Sequence, residues 1–167
     1  MAGALIVAAE LGPADFAWLD GERRQYFPPE RNQLPAHLTL FHALPPSLED
    51  EARGQLKAMS ASARPAATVA GLINLGGGVA YRVVSPGLDT IREAIAAHFH
   101  GSLTAQDAGR WRAHVTIQNK VPSGDAKALL ADLEPDFRPR PLAIHGLALH
   151  RYLGGPWGSL GRWAFRD

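Results

Sequence analysis

Apolar positions along this chain recur with two periods, one near two and one near 3.6, and the switches between them mark out its elements. Ala4-Leu5-Ile6-Val7-Ala8-Ala9 is a continuous apolar run that predicts a first strand. Residues 14–27 follow with Phe16, Leu19, Arg23 and Tyr26 at helical spacing, interrupted by Gly21 and closed by Pro28-Pro29. A polar, proline-rich loop leads to an extended segment starting at His37. Ser47 with Asp50 three residues on is a helix-start signature, and Leu48, Ala52, Leu56 and Met59 give that helix its buried stripe. Pro65 ends it. Val69, Gly71, Ile73 and Leu75 then alternate, Gly76-Gly77-Gly78 turns, and Val79 to Val84 alternates again, which predicts a β-hairpin. Ser85-Pro86 opens a helix carried to about His100 by Leu88, Ile91, Ile95 and Phe99. A loop over 101–110 precedes a second extended segment at His114, then a short helix capped by Ser123 with Leu129, Leu130 and Leu133. A long strand near 141–152, the Gly154-Gly155-Pro156-Trp157-Gly158 loop and a last strand with Trp163 and Phe165 complete the series. Helices mixed with antiparallel strands define an α+β class.

The two extended segments carry the same pattern. His37-Leu38-Thr39-Leu40 and His114-Val115-Thr116-Ile117 lie 77 positions apart, each a histidine, an apolar residue, a threonine and an apolar residue. On a strand, successive side chains point to opposite faces, so each His and Thr share one face while the apolar pair enters the core. Chance would give one such tetrapeptide in roughly one chain of this length in forty, and two in fewer than about one in a thousand. Two imidazoles facing one cleft can act as general base and general acid, and threonine hydroxyls can donate to an anionic oxygen. The period-two rule carried outward from the second motif places Arg112 and Gln118 on the His114 face, where Arg112 offers paired donors to a phosphate. Phe41 falls on the His37 face and Tyr81 in the hairpin, and either could stack a base or belong to the core. By the same rule His42 lies on the face opposite His37, as a structural residue.

The pair of His-apolar-Thr-apolar motifs, with their positions in the first and last thirds of the chain and the order of elements around them, resembles the 2H phosphoesterase superfamily. That group includes bacterial 2'-5' RNA ligases and 2',3'-cyclic nucleotide phosphodiesterases. The resemblance implies a bilobal fold over residues 1–167, two pseudo-symmetric antiparallel-sheet lobes with helices outside and a central groove. It implies His37 and His114 as catalytic residues and Thr39 and Thr116 as phosphate ligands. The substrate it implies is a 2',3'-cyclic phosphate or 2'-5' phosphodiester at an RNA end or in a small nucleotide, attacked without a metal.

Composition narrows the alternatives. The chain contains no cysteine, which excludes disulfides, thiolate nucleophiles and cysteine metal sites and fits a cytoplasmic protein. His98 and His100 form an H-x-H without accompanying carboxylates, so no metal or other cofactor is expected. The glycine triplet lacks the lysine and helix of a phosphate loop. A formal net charge of +1 advertises no broad nucleic-acid surface, so an anionic partner must meet a local cluster. Arg23-Arg24 and Arg138/Arg140 are interspersed with acids and prolines and read as solvated surface. No apolar stretch approaches membrane-spanning length, and a monomer is expected. The competing function is a non-catalytic RNA- or nucleotide-binding module with the same cleft, which would need no matched acid and base.

Overall fold

The computed structural model describes residues 3–167. The elements follow in the order β1 (Leu5–Leu11), α1 (Pro13–Tyr26), β2 (Leu38–Leu44), α2 (Glu49–Met59), β3 (Thr68–Asn74), β4 (Val79–Val84), α3 (Pro86–His98), α4 (Ala105–Ala108), β5 (His114–Gln118), α5 (Ser123–Leu133), β6 (Arg140–Pro141), β7 (Ile144–Tyr152) and β8 (Trp157–Ala164). The described strands build two antiparallel four-stranded sheets, ordered β2-β1-β7-β8 and β5-β4-β3-β6. Each motif strand is therefore the edge of its own sheet, and the two edges lie against each other. The fold is α+β and bilobal, with the two sheets forming the lobes.

The lobes repeat each other down to an irregularity. In the first, Ala8 pairs with Thr39 but Val7 pairs with Phe41, leaving Leu40 as an extra residue; in the second, Ala80 pairs with Thr116 and Val79 with Gln118, leaving Ile117 extra. Both motifs thus contain a β-bulge at their fourth residue. Because a bulge resets the alternation, the fifth residue turns inward with the fourth: Phe41 is 0% and Gln118 7% exposed. Packed beneath the motifs, Leu38, Leu40, Val115 and Ile117 are fully buried and join one apolar core that spans both sheets.

Several elements differ from the sequence expectation. The helix read from Ser47 begins at Glu49, after a 3-10 turn over Pro46–Leu48, and Ser47 makes no capping bond. Pro122 occupies the cap position of α5, which makes Ser123 the first helical residue. At α3 the expectation holds, since the Ser85 hydroxyl accepts from the Leu88 amide at 3.2 Å. Residues 105–108 of the expected loop form a helical turn capped by Thr104. The long strand near 141–152 is two strands in different sheets: β6 pairs with β3 and β7 with β1, so the chain crosses between lobes at Leu142-Ala143. The described part of the chain has no helix long and apolar enough to cross a membrane.

Two glycines separate backbone necessity from tolerance. A Cβ at Gly78 would fall 1.8 Å from the Gln118 carbonyl oxygen, at the second bulge, whereas one at Gly21 meets nothing within 4 Å in the interior of α1. Gly78→Ala should therefore cost about 1–3 kcal/mol through forced displacement of β5. Gly21→Ala should gain about 0.5–1 kcal/mol of helix stability. Urea midpoints of the two variants should move in opposite directions.

Candidate active site

The histidines are set identically. His37 Nδ1 lies 2.9 Å from the Pro35 carbonyl and His114 Nδ1 2.8 Å from the Arg112 carbonyl. A carbonyl only accepts, so each Nδ1 carries the proton, and in the neutral ring Nε2 is left with a free lone pair. Both bonds reach back two residues, past Ala36 and Ala113, which are each 5% exposed. The repeated unit is therefore Ala-His-apolar-Thr-apolar, opposed in each lobe by an alanine on the neighbouring strand.

His37 and Thr116 line a common cleft of about 410 Å³ together with Arg23, Arg31, Gln33, Asn119, Lys120 and Tyr152. The lining contains three cations and no carboxylate, so its charge is uniformly positive. Thr39 shares the His37 face and His114 the Thr116 face by strand alternation, and the charge of His114 reaches His37. Desolvation holds the His37 imidazole down to about 4; the Pro35 carbonyl acts in the opposite sense, and the charges of Arg23, His114 and His42 depress it further. His37 is accordingly neutral at pH 7. Lys120 adopts φ 65°, the one non-glycine residue with positive φ among those described, and the Asn119 side chain accepts its amide. Such a conformation costs about 1–3 kcal/mol and concentrates at ligand sites.

Each motif strand is braced by an arginine of the other repeat that donates to one of its backbone carbonyls. Arg23, on α1, is 4% exposed, stacks on Phe27 at 4.2 Å and donates to the Thr116 carbonyl at 3.2 Å and to Asn32 at 2.8 Å. Burial lowers it to about 10, so it keeps its charge at neutral pH. Arg92, on α3, stacks on Phe41 at 3.9 Å and donates to the carbonyls of Leu40 at 2.9 Å and Asp107 at 2.6 Å.

Three expected substrate contacts fall elsewhere, while the fourth, Arg112, stays exposed beside the second motif. Phe41 lies in the core under Arg92 and Gln118 is buried with its side-chain oxygen unpaired, both because of the bulges. Tyr81 pairs in register with Val115 and so shares the core face; its hydroxyl donates to Glu22 at 2.7 Å while its ring packs on Trp18. Arg112 precedes β5, and its guanidinium is exposed without a hydrogen bond among the described residues; its carbonyl is what meets His114. The bulge also returns His42 to the His37 side, near enough for its charge to act on that ring, with Nδ1 donating to buried Asp107 at 3.2 Å. Arg23, read as surface, is buried, and its place in the Leu19–Arg23 stripe of α1 is the signal that points inward. Arg82, in register with His114, lies exposed on that face and has no such signal. Among the described residues no group of three or more His, Asp or Glu side chains could hold a metal ion, and His98 instead faces Glu51 at 3.2 Å.

Two lobes meeting at duplicated His/Thr edge strands define a two-histidine α+β protein. The chain belongs to the 2'-5' RNA ligase superfamily, whose sequence profile matches residues 12–156. No curated protein matches in sequence. Among solved structures it is similar to TT0787 of Thermus thermophilus, at 17% identity and TM-score 0.71, with 98% of each chain covered. It is also similar to E. coli LigT complexed with NADP+, at 19% identity and TM-score 0.64, and complexed with 3'-AMP, at 17% and 0.64, each over 100% of both chains.

The depressed His37 gives a sign for acid behaviour. An unfolded histidine takes up its proton near 6.5 and folded His37 near 4, so between these values the unfolded state binds more protons. Stability should fall as pH drops from about 6.5 to about 4, with no further loss from this group below. His150, lowered by burial, acts in the same direction. The excess acid sensitivity of wild type over His37→Gln in urea titrations isolates the His37 share.

Proposed function

We propose that the protein is a metal-independent phosphoesterase that opens 2',3'-cyclic phosphates, or cleaves 2'-5' phosphodiesters, at RNA ends or in nucleotides by two-histidine acid–base catalysis. The observation that carries this reading is the cleft joining His37 of one motif to Thr116 of the other, lined by Arg23, Arg31 and Lys120 and by no carboxylate. Superfamily membership and the nucleotide complexes of LigT, similar in fold, support it.

In the hydrolytic direction a water attacks phosphorus while His37 Nε2, neutral and unprotonated, takes its proton. The bond from phosphorus to one ribose oxygen breaks, and His114 delivers a proton to that oxygen through Nε2. The pair ends with the proton exchanged, and solvent restores the starting state. Thr39 and Thr116 donate to the non-bridging oxygens, and the cleft cations offset charge as it spreads over them. With a ribose 5' hydroxyl attacking the cyclic phosphate in place of water, the same pair would join a 2'-5' bond: one histidine takes the hydroxyl proton, the bond from phosphorus to the 3' oxygen breaks, and the other histidine gives that oxygen its proton.

The test is a product assay on 2',3'-cyclic nucleotides, 2'-5' dinucleotides and cyclic-phosphate-ended RNA. Turnover should persist in excess EDTA; loss restored by a divalent ion would overturn the metal-free mechanism. His37→Ala or His114→Ala should each lower kcat by on the order of 10²–10⁴, with the double variant losing less than the product. Thr39→Ala and Thr116→Ala should lose less, since proton transfer is left in place. Full activity in a folded single-histidine variant would favour the non-catalytic binding module instead.

A further inference from the structure

Beyond the motifs, the faces of the two lobes differ in charge. In the first lobe, Thr39, Ala8, Ala148 and Arg162 are successive pairing partners across β2, β1, β7 and β8, so all four present one face. That face offers two methyl groups, the Trp157 indole 4.6 Å from the His37 ring, and an arginine already opposed by Glu10 at 3.7 Å. In the second lobe, His114 pairs with Arg82 and Arg82 with Gly71 across β5, β4 and β3. The Val83 amide donates to the Ala113 carbonyl at 2.9 Å, so the pairing runs one residue past β5 and sets Arg112 opposite Val84. Arg82 and Arg112 therefore stand on the His114 face, one across the ladder from the histidine and the other two positions before it on the same extended segment.

Both arginines are exposed. Arg82 lies across bare Gly71, where a Cβ would fall 3.3 Å from its Nη2, and it uses one donor on the Ala70 carbonyl at 3.4 Å. No aspartate or glutamate occurs in β3, β4 or β5. In the segment leading into β5 the one carboxylate, Asp107, is buried and turned to the His42 and Ala43 amides. Nothing on these strands offsets the two charges, and a guanidinium fork matches paired phosphate oxygens. Residues opposite each other in an antiparallel pair have Cβ atoms about 4.5–5.5 Å apart, and positions two apart on a strand are separated by about 6–7 Å. From there both long side chains reach beyond a phosphate held at His114 and Thr116, to where the next phosphate of a nucleotide chain would lie.

The geometry points to Arg82 and Arg112 as a second phosphate subsite, which holds the phosphodiester one nucleoside away from the reacting phosphate along the open face of the second sheet. The inference rests on the phosphoester reading of the site. It assigns RNA ends of at least two nucleotides as the favoured substrates and mononucleotides as poor ones, and it gives the second lobe the task of holding the chain.

Binding tests it without recourse to turnover. Adenosine 3'-monophosphate and the dinucleotide ApAp, which adds one internal phosphodiester, are titrated by calorimetry into the full chain at pH 7 over a series of salt concentrations. At about 50 mM salt ApAp should bind at least about fivefold tighter, and its plot of log K against log salt should be steeper by about 0.7 for the extra phosphate held. Arg82→Gln should leave the mononucleotide affinity unchanged while removing most of the ApAp advantage and its extra slope. Arg112→Gln should lower the same ratio of affinities, and Arg82→Lys should keep part of it. Arg138→Gln, at an exposed position in the loop before β6, should leave the ratio as in wild type. An ApAp advantage that is independent of salt, or that survives in the double Arg82→Gln, Arg112→Gln variant, would overturn the subsite, since the second base would then make the contact. A loss of equal size in Arg138→Gln would overturn it by showing a general field in place of a site. Equal binding of the two ligands by wild type would remove the subsite and leave the phosphoester reading intact, whereas binding of neither would sink that reading and the subsite with it.

Discussion

Everything at this site depends on two sheet edges that meet and do not pair. Edge strands expose unpaired amides and carbonyls, and two of them side by side would ordinarily zip into one continuous sheet. Here the outward groups of β2 and β5 are taken by side chains instead: Trp111 donates to the Thr39 carbonyl at 2.9 Å, Arg92 to Leu40 and Arg23 to Thr116. Buried Asp107 accepts the amides of His42 and Ala43, at 2.9 Å each to its nearer oxygen. Hydrogen bonds lengthened or left unmade in a low-dielectric interior cost about 1–3 kcal/mol each, so these partners keep the seam open as well as satisfied. An open seam is what leaves room for a substrate.

The two lobes are alike in backbone and unlike in chemistry. Both present a histidine tied at Nδ1 to the carbonyl two residues back, a threonine opposite an alanine, and a bulge at the next residue. Around that shared frame the side chains diverge. The face beyond Thr39 is apolar and aromatic, through Ala8, Ala148, His150 and Trp157, whereas the surroundings of Thr116 are cationic, through Arg23 and Lys120. A symmetric frame with asymmetric flanks can hold an asymmetric molecule in one orientation, and so can give the two histidines opposite roles.

The motifs, their strands and the class are legible in the sequence because period two and a rare repeat are local signals. The bulges are not local signals: they arise from how Val7 and Val79 meet their partner strands, and no residue in either tetrapeptide announces them. A single extra residue reverses the faces of everything after it, which is why period two alone puts Phe41 and Gln118 in the groove and His42 away from it. Arg23 shows the complementary failure. Its charge argues for solvent while its helical phase argues for the interior, and a stacked phenylalanine with two hydrogen-bond acceptors decides for the interior. Trp157 carries no signal of its own, because a glycine-rich loop brings it to His37 from far along the chain.

The reciprocal placement of the arginines bears on what counts as a unit here. α1 sits between two strands of the first sheet yet braces β5 of the second, and α3 sits between two strands of the second yet braces β2 of the first. Neither half of the duplication contains the donor its own motif carbonyl requires. A lone half would have to borrow that donor from a second copy, arranged about a twofold axis, as the two halves now borrow from each other. The architecture is therefore that of a dimer written into one chain, and its smallest self-sufficient piece is the pair.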